Sequence, residues 1–406
     1  MNALRQRFRD LTRRRQPLAD APLPLRRRKR FSLAGSIGFE RHIAADQERI
    51  ADQVLALLPP DHFRALLLCG AYGRGEGVRL RAANGKEIAE RYDYGVVVAG
   101  TDPGLRAAME ASLRRVADSL SATTGVPLHF RLFREEYLHQ RSLSFAQADL
   151  RWSGRLLRGD PGAVECMTAR PFEHLDPGEL LWQLVEHGLG LLHNQEQLRT
   201  TSHLSEHARL AFFAHLIRAV LMCGDLRLAV VGQYHPAHAE KLARLEALDQ
   251  RHHRKFMALY QVAHRAYATL DSDAFLEGHP LDWQARVVWL WQDALRRLEA
   301  WRRGRAPNSW EAYCRPYPGK GQGAVHSVIG QLRANLAGFG VRPVMRHPLW
   351  ALRHPRERLI SAMPLLLSGP QTTPEPVVAA ALALPPGTRW PDAVKHCVQH
   401  CVRYQD

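Results

Sequence analysis

Residues 40–58, ERHIAADQERIADQVLALL, place Ile43, Ile50, Val54 and Leu57 at helical spacing, and Pro59-Pro60 stop that helix. RALLLCG, 64–70, reads as a short buried strand running into glycine. RAANGKEIAER, 81–91, contains Asn84-Gly85, a hairpin-turn signal. YDYGVVVAG, 92–100, reads as a second strand, closed by Gly100 and the Asp102-Pro103 turn. An amphipathic pattern predicts a helix over 103–125. VPLHFRLFREEYL, 126–138, predicts a third strand that then turns. The order is β–turn–β–α–β.

From about residue 172 the period changes to that of helices. Helical patterns cover 178–195, 208–232, 236–270 and 283–304, several of them apolar on more than one side, as in a bundle. The stretch 305–345 is rich in Gly and Pro and reads as a long connection or loop-rich insert. Residues 356–367 and 390–404 read as terminal helices. The expected class is α+β, a small mixed-sheet head followed by a helical-bundle body. The expected divisions are a basic extension (1–35), an α/β domain (36–170), a helical domain (171–304) and a loop-rich segment with C-terminal helices (305–406).

Composition narrows the class. Apolar residues make up 46% of 406, enough for a sizeable core. No apolar run approaches the roughly 18–20 residues that cross a bilayer, and the N-terminus lacks the apolar core of a secretory signal. Six scattered cysteines, Cys69, Cys166, Cys223, Cys314, Cys397 and Cys401, suit reduced thiols. A cytoplasmic protein is expected. The formal charge is +16, and residues 1–30 carry 11 Lys/Arg against Asp10 and Asp20. That tail is either a solvated extension or a contact for RNA, DNA or an anionic membrane surface. A single aromatic, Phe8, lies among its arginines, too few for a stacking platform, which disfavours single-strand stacking. Pro17, Pro22 and Pro24 break the helix a mitochondrial presequence needs.

The candidate chemistry starts at CGAYGRGEG, 69–77. A Gly-rich turn after a strand can present backbone N–H groups to phosphate. This one is neither GxxxxGK[ST] nor GxGxxG, and glycines after a strand commonly serve tight turns alone. The strand that Asp93 heads adds a second element. Residues two apart in a strand face one way, so carboxylates at i and i+2 can bridge two divalent cations. Position 95, however, is glycine.

The Gly70-Ala71 turn, the GRGEG at 73–77 and Asp93 opening DYGVVV resemble the nucleotidyltransferase superfamily, specifically bacterial proteins with a GxYGRGEG turn and a helical body. CGDLRLAVVGQYHPAHAEKLARL, 223–245, is similar to a helix–turn–helix of that body. SGRLLRGD, 153–160, resembles the segment that closes the head. The resemblance spans roughly residues 60–270. It implies a nucleotidyltransferase-type head and transfer of a nucleoside monophosphate from an NTP to an acceptor, with Mg²⁺. It implies a nucleotide contact for the turn Gly70, Ala71, Tyr72, Gly73, Arg74, Gly75 and Glu76, with Gly70 and Ala71 holding the triphosphate and Arg74 near the phosphates. Asp93 becomes the catalytic metal ligand. Glu76 is either a turn-stabilising acid or a supporting group.

Three positions depart from that pattern. Gly95 replaces the second acid, Ala71 stands where Ser or Gly is usual, and the third strand offers His129 and Arg131 instead of an acid. Losing roughly 4 kcal/mol of metal and transition-state stabilisation removes about three orders of magnitude in rate. The expectation is therefore an impaired transferase, a pseudoenzyme that keeps a nucleotide-binding or regulatory pocket. The alternatives are an active Mg²⁺-dependent enzyme with relocated carboxylates, acting on a small molecule, protein or RNA, and a basic nucleic-acid-binding module. Glu87 or Glu90 supplies the missing charge only if 81–91 folds over the site, and strand alternation points Glu90 away from Asp93.

Elsewhere bland readings prevail. HCVQHC at 396–401 lacks a partner motif for zinc and reads as half-buried thiols on a helix. RHHRKF, 251–256, reads as a basic helix face, and His235 and His238 as caps or surface groups. Cys223, Asp225 and Tyr234 read as helix packing. Trp283, Trp289 and Trp291 read as core or interface.

Overall fold

The computed structural model describes residues 30–81, 87–138, 145–165, 176–201, 203–248, 254–269, 278–316, 328–369 and 376–403. The architecture is mixed α+β, mostly helical, with one small mixed sheet. In the head, α1 (Ile37–Leu57) leads to β1 (Phe63–Cys69), which runs into a single helical turn, α2 (Gly70–Arg74). A short hairpin follows, β2 (Arg79–Arg81) paired with β3 (Glu87–Ala89); its Asn84-Gly85 turn lies outside the described residues. Then come β4 (Tyr92–Val98), α3 (Pro103–Thr124), β5 (Leu128–Arg134), α4 (Phe145–Ser153), β6 (Arg155–Gly159) and α5 (Gly162–Glu165).

The sheet order is β5-β4-β1-β6. β1 is antiparallel to both neighbours, and β4 and β5 are parallel across the α3 crossover. Local chemistry explains α3: the Asp102 side chain accepts the Leu105 N–H at 2.8 Å, Pro103 opens the first turn, and Gly125 ends it in the left-handed region. The unbroken apolar run of β1 follows from burial of both sheet faces. Leu66 and Leu68 meet Ile43, Ile50, Val54 and Leu113 of α1 and α3 on one side. Ala65, Leu67 and Cys69 meet Leu150 of α4 on the other.

Residues 30–35, the end of the expected basic extension, dock on the head. Ser32 bridges to Gly77, the Phe31 carbonyl accepts the Gly77 N–H at 3.0 Å, and the Phe31 N–H reaches Glu40 at 2.6 Å. Residues 1–29, with both basic clusters up to Lys29, lie outside the described residues.

The body packs α6 (Pro177–Thr200), α7 (Glu206–Val230), α8 (His238–Ala247), α9 (Arg254–Thr269) and α10 (Pro280–Arg303). Trp291 is wholly buried and donates its indole N–H to the Leu184 carbonyl at 2.7 Å. Trp289, on the outer side of the same helix, is exposed and so is not a core residue. The single helix read over 236–270 is two helices, with 249–253 outside the described residues; the His252-His253 pair falls there.

The loop-rich reading of 305–345 also needs correction. α11 (Trp310–Tyr313), α12 (Val328–Phe339), α13 (Val341–Arg346) and α14 (Pro348–Ala351) are helical. Gly340 and Pro348 cut them short, which erases a readable period. They rest on α15 (Pro355–Leu367), α16 (Pro376–Ala381) and α17 (Trp390–Arg403). Buried Arg358 ties that region together, donating to the Ala381 carbonyl at 2.6 Å and to Asn335 Oδ1 at 2.9 Å. Cys397 and Cys401 of α17 are buried free thiols. No helix among the described residues is long and apolar enough to cross a membrane.

Candidate functional site

β1 and β4 bring the glycine turn and Asp93 together. Cys69 pairs with Asp93 in the sheet register, and His129 of β5 flanks Asp93 on the other side. Gly70 has φ +64°, and a Cβ there would lie 3.0 Å from Asp93 Oδ2. A side chain at 70 is therefore strained by the backbone and would crowd Asp93.

Asp93 is not a free ligand. Arg91 grips it from Nε to Oδ1 at 3.0 Å and from Nη2 to Oδ2 at 3.1 Å, with His129 Nδ1 at 3.7 Å. The Asp93 charge in turn raises the Arg91 pKa. Two residues on, Gly95 is buried, and a Cβ would meet Leu150 Cδ1 at 2.4 Å and Cys69 Sγ and Phe133 at 3.3 Å. Apolar packing occupies the place of a second acid. Burial, then the charges of Asp149 and Asp93, push the Cys69 thiol well up, which favours the neutral thiol over the thiolate.

The glycine turn faces a residue that sequence reasoning missed. Asp149 of α4 accepts the Gly70 N–H through Oδ2 at 2.6 Å and pairs with Arg74 Nη1 through Oδ1 at 2.6 Å. The backbone donor and the guanidinium expected to meet phosphate are thus both engaged by one carboxylate. Asp149 is the single acid between Glu136 and Asp160, and it sits one helical turn before Ser153, which Arg74 also contacts at 3.3 Å. That isolation was the available signal. Burial lowers the Arg74 pKa, but Asp149 and Glu76 outweigh it and hold it above its ordinary value.

Glu76 resolves into a structural latch. Its Oε2 accepts from Arg74 Nε at 2.9 Å, and its Oε1 accepts the His238 N–H at 3.0 Å, at the start of α8. A head carboxylate therefore satisfies an orphan donor of a body helix and meets its positive end. Tyr72 is buried: its hydroxyl donates to the Val78 carbonyl and accepts the Glu90 N–H at 2.8 Å. Gly73 lets the turn cross β1 closely, since a Cβ would sit 2.3 Å from the Leu68 carbonyl oxygen. Ala71 supplies a carbonyl that accepts the Glu76 N–H at 2.8 Å, and Gly75 caps α2. Each turn residue has an internal task.

Glu87 pairs with Arg79 at 2.7 Å and with Ser36, and Glu90 pairs with Arg218, so neither supplements Asp93. On the body side, Asp225 pairs with Lys241 at 2.8 Å, and burial raises its pKa despite that cation. His187 and His215 of α6 and α7 are pulled down to about 4, first by burial, then by neighbouring cationic groups that include Arg218. His235 Nδ1 accepts the Ala237 N–H at 3.1 Å, as a cap should.

Among the described residues, no group of three or more His, Cys, Asp and Glu is placed to hold a metal ion. The residues beside Asp93 do not fit a magnesium pair: Asp93, Asp149 and Glu76 lie at the turn, each is bound to an arginine, and position 95 is walled by Leu150. Comparison of the chain with protein-family models, with curated proteins and with solved structures gives no match.

Proposed function

We propose that the head is a nucleotidyltransferase-type module without two-metal transfer chemistry, serving as a binding or regulatory surface. The observation that carries this reading is the apolar plug at Gly95, where Leu150 takes the space of a metal-bridging carboxylate. The parallel neighbour β5 supports it by offering His129 and Arg131, basic side chains where an acid is needed. Asp149 fills the anion cradle from inside the chain, so a nucleotide phosphate binds only by displacing it from Gly70 and Arg74. Incubation with each labelled NTP and Mg²⁺ or Mn²⁺ should release no pyrophosphate and leave the protein unlabelled. Turnover abolished by Asp93→Ala would falsify the proposal. For the retained pocket, calorimetry should find weak NTP binding that tightens in Asp149→Asn. No heat from either protein at millimolar nucleotide removes the nucleotide from the reading.

Asp149 also favours a second reading, an active enzyme with a relocated acid, because it contacts the same Gly70 that Asp93 abuts. Pyrophosphate release lost equally in Asp93→Asn and Asp149→Asn selects that reading.

A further inference from the structure

The sequence has no acidic residue between Glu311 and Glu357, and seven Lys/Arg lie in that run. This +7 and the +9 of residues 1–30 account for the whole +16, so the rest of the chain is neutral. The same run holds the most exposed apolar side chains of the C-terminal region. Val328 and Ile329 open α12 at 60% and 64% exposure, Val341 and Met345 on α13 stand at 65% and 66%, and Leu349 on α14 at 67%. Arg333, Arg342 and Arg346 are exposed among them, and none is ion-paired among the described residues. α12, α13 and α14 pack on one another, while Asn335, Phe339, Val344 and Trp350 turn inward and anchor them. The exposed side chains are therefore presented on an ordered base.

We propose that α12–α14 form a docking surface for an anionic bilayer, with Val341, Met345 and Leu349 entering the headgroup region and Arg342 and Arg346 beside them meeting lipid phosphates. Exposed aliphatic side chains flanked by arginines without an ion pair among the described residues, in a run of sequence without acids, match the chemistry of an anionic interface. Two other occupants fit less well. Single-stranded nucleic acid stacks on aromatics, and the aromatics here, Phe339 and Trp350, are buried. A second copy of the chain would set the arginines of one face against those of the other. No described helix is long and apolar enough to span, so the contact is interfacial.

The test is flotation of the full chain with vesicles of phosphatidylcholine alone and with roughly a third phosphatidylglycerol. The protein should float with the anionic vesicles, weakly with neutral ones, and less as salt rises. Replacing Val341, Met345 and Leu349 together by Ser should lower the partition about tenfold or more. Arg342→Gln with Arg346→Gln should lower it by about tenfold. Leu281→Ser, exposed on α10, should leave it unchanged and controls for general loss of surface apolarity. The N-terminal charge is intact in every variant, so anionic binding untouched by both sets of substitutions assigns it to the tail and overturns the proposal. Equal binding to both vesicle types overturns it too. A dimer that becomes monomeric in the triple variant, without vesicle binding by the parent, replaces the lipid by a second copy.

Discussion

Asp149 Oδ2 accepts the backbone N–H of Gly70 at 2.6 Å, joining α4 to the first residue after β1 across 79 positions of chain. Its other oxygen holds Arg74. Asp149→Ala strands the Gly70 backbone donor and leaves the nearly buried Arg74 guanidinium to Glu76 and Ser153. The expected loss is about 2–3 kcal/mol, because Asp149 itself is partly solvated and the full cost of breaking a buried pair is not reached. Asp149→Asn keeps an acceptor for Gly70 and should cost about half as much. Urea denaturation measures both; an unchanged midpoint in Asp149→Ala contradicts the assigned role.

Gly95→Asp should damage the fold without creating a metal site. The new Cβ meets Leu150 Cδ1 at 2.4 Å, and its carboxylate enters an apolar face next to two existing acids. Overpacking costs about 1–3 kcal/mol, and an unpaired buried charge adds to it. The double variant with Leu150→Ala relieves the collision and should recover part of the loss in a thermal melt. Pyrophosphate release by the single variant is the outcome that contradicts this packing.

Glu76→Ala cuts the only head carboxylate bonded to the start of α8 among the described residues, and leaves Arg74 one partner short. A loss of about 2 kcal/mol is expected. Faster amide exchange should appear at the start of α8 ahead of the rest of the body. Exchange that rises evenly over the chain argues against a latch.

His187 and His215 make the head–body region acid-sensitive. Both have folded pKa values lowered to about 4 from an ordinary 6.5. The unfolded chain therefore binds more protons between those values. Stability is fully present above pH 6.5 and falls as pH drops toward 4. Between about pH 7 and about pH 5 each histidine should cost about 2 kcal/mol. His215 Nδ1 faces Asn194 Oδ1 at 2.8 Å, so it donates as a neutral imidazole. His187→Gln should flatten the pH dependence of the denaturation midpoint over this window. An unaltered slope refutes the shift.

Much of the head was legible along the chain. The apolar runs before Gly70 and after Asp93 set two strands, and Asp102-Pro103 and Gly125 bracketed the helix between β4 and β5. Local rules suffice there, because capping and strand alternation act within a few residues. The helices of 328–351 were not legible, since Gly340 and Pro348 cut them to pieces shorter than a readable period and tertiary packing holds them.

The sequence by itself determined that the chain holds a glycine turn and a strand headed by Asp93, that position 95 carries no acid, and that positive charge is concentrated in two segments. Tertiary structure alone brought the two together and decided their neighbours: Asp149 on the Gly70 N–H, Leu150 against Gly95, and Glu76 on the end of α8. The physical reason is range. A turn or a strand is written in neighbouring residues, whereas the partner of a buried charge or the occupant of a gap comes from wherever in the chain the packing delivers it.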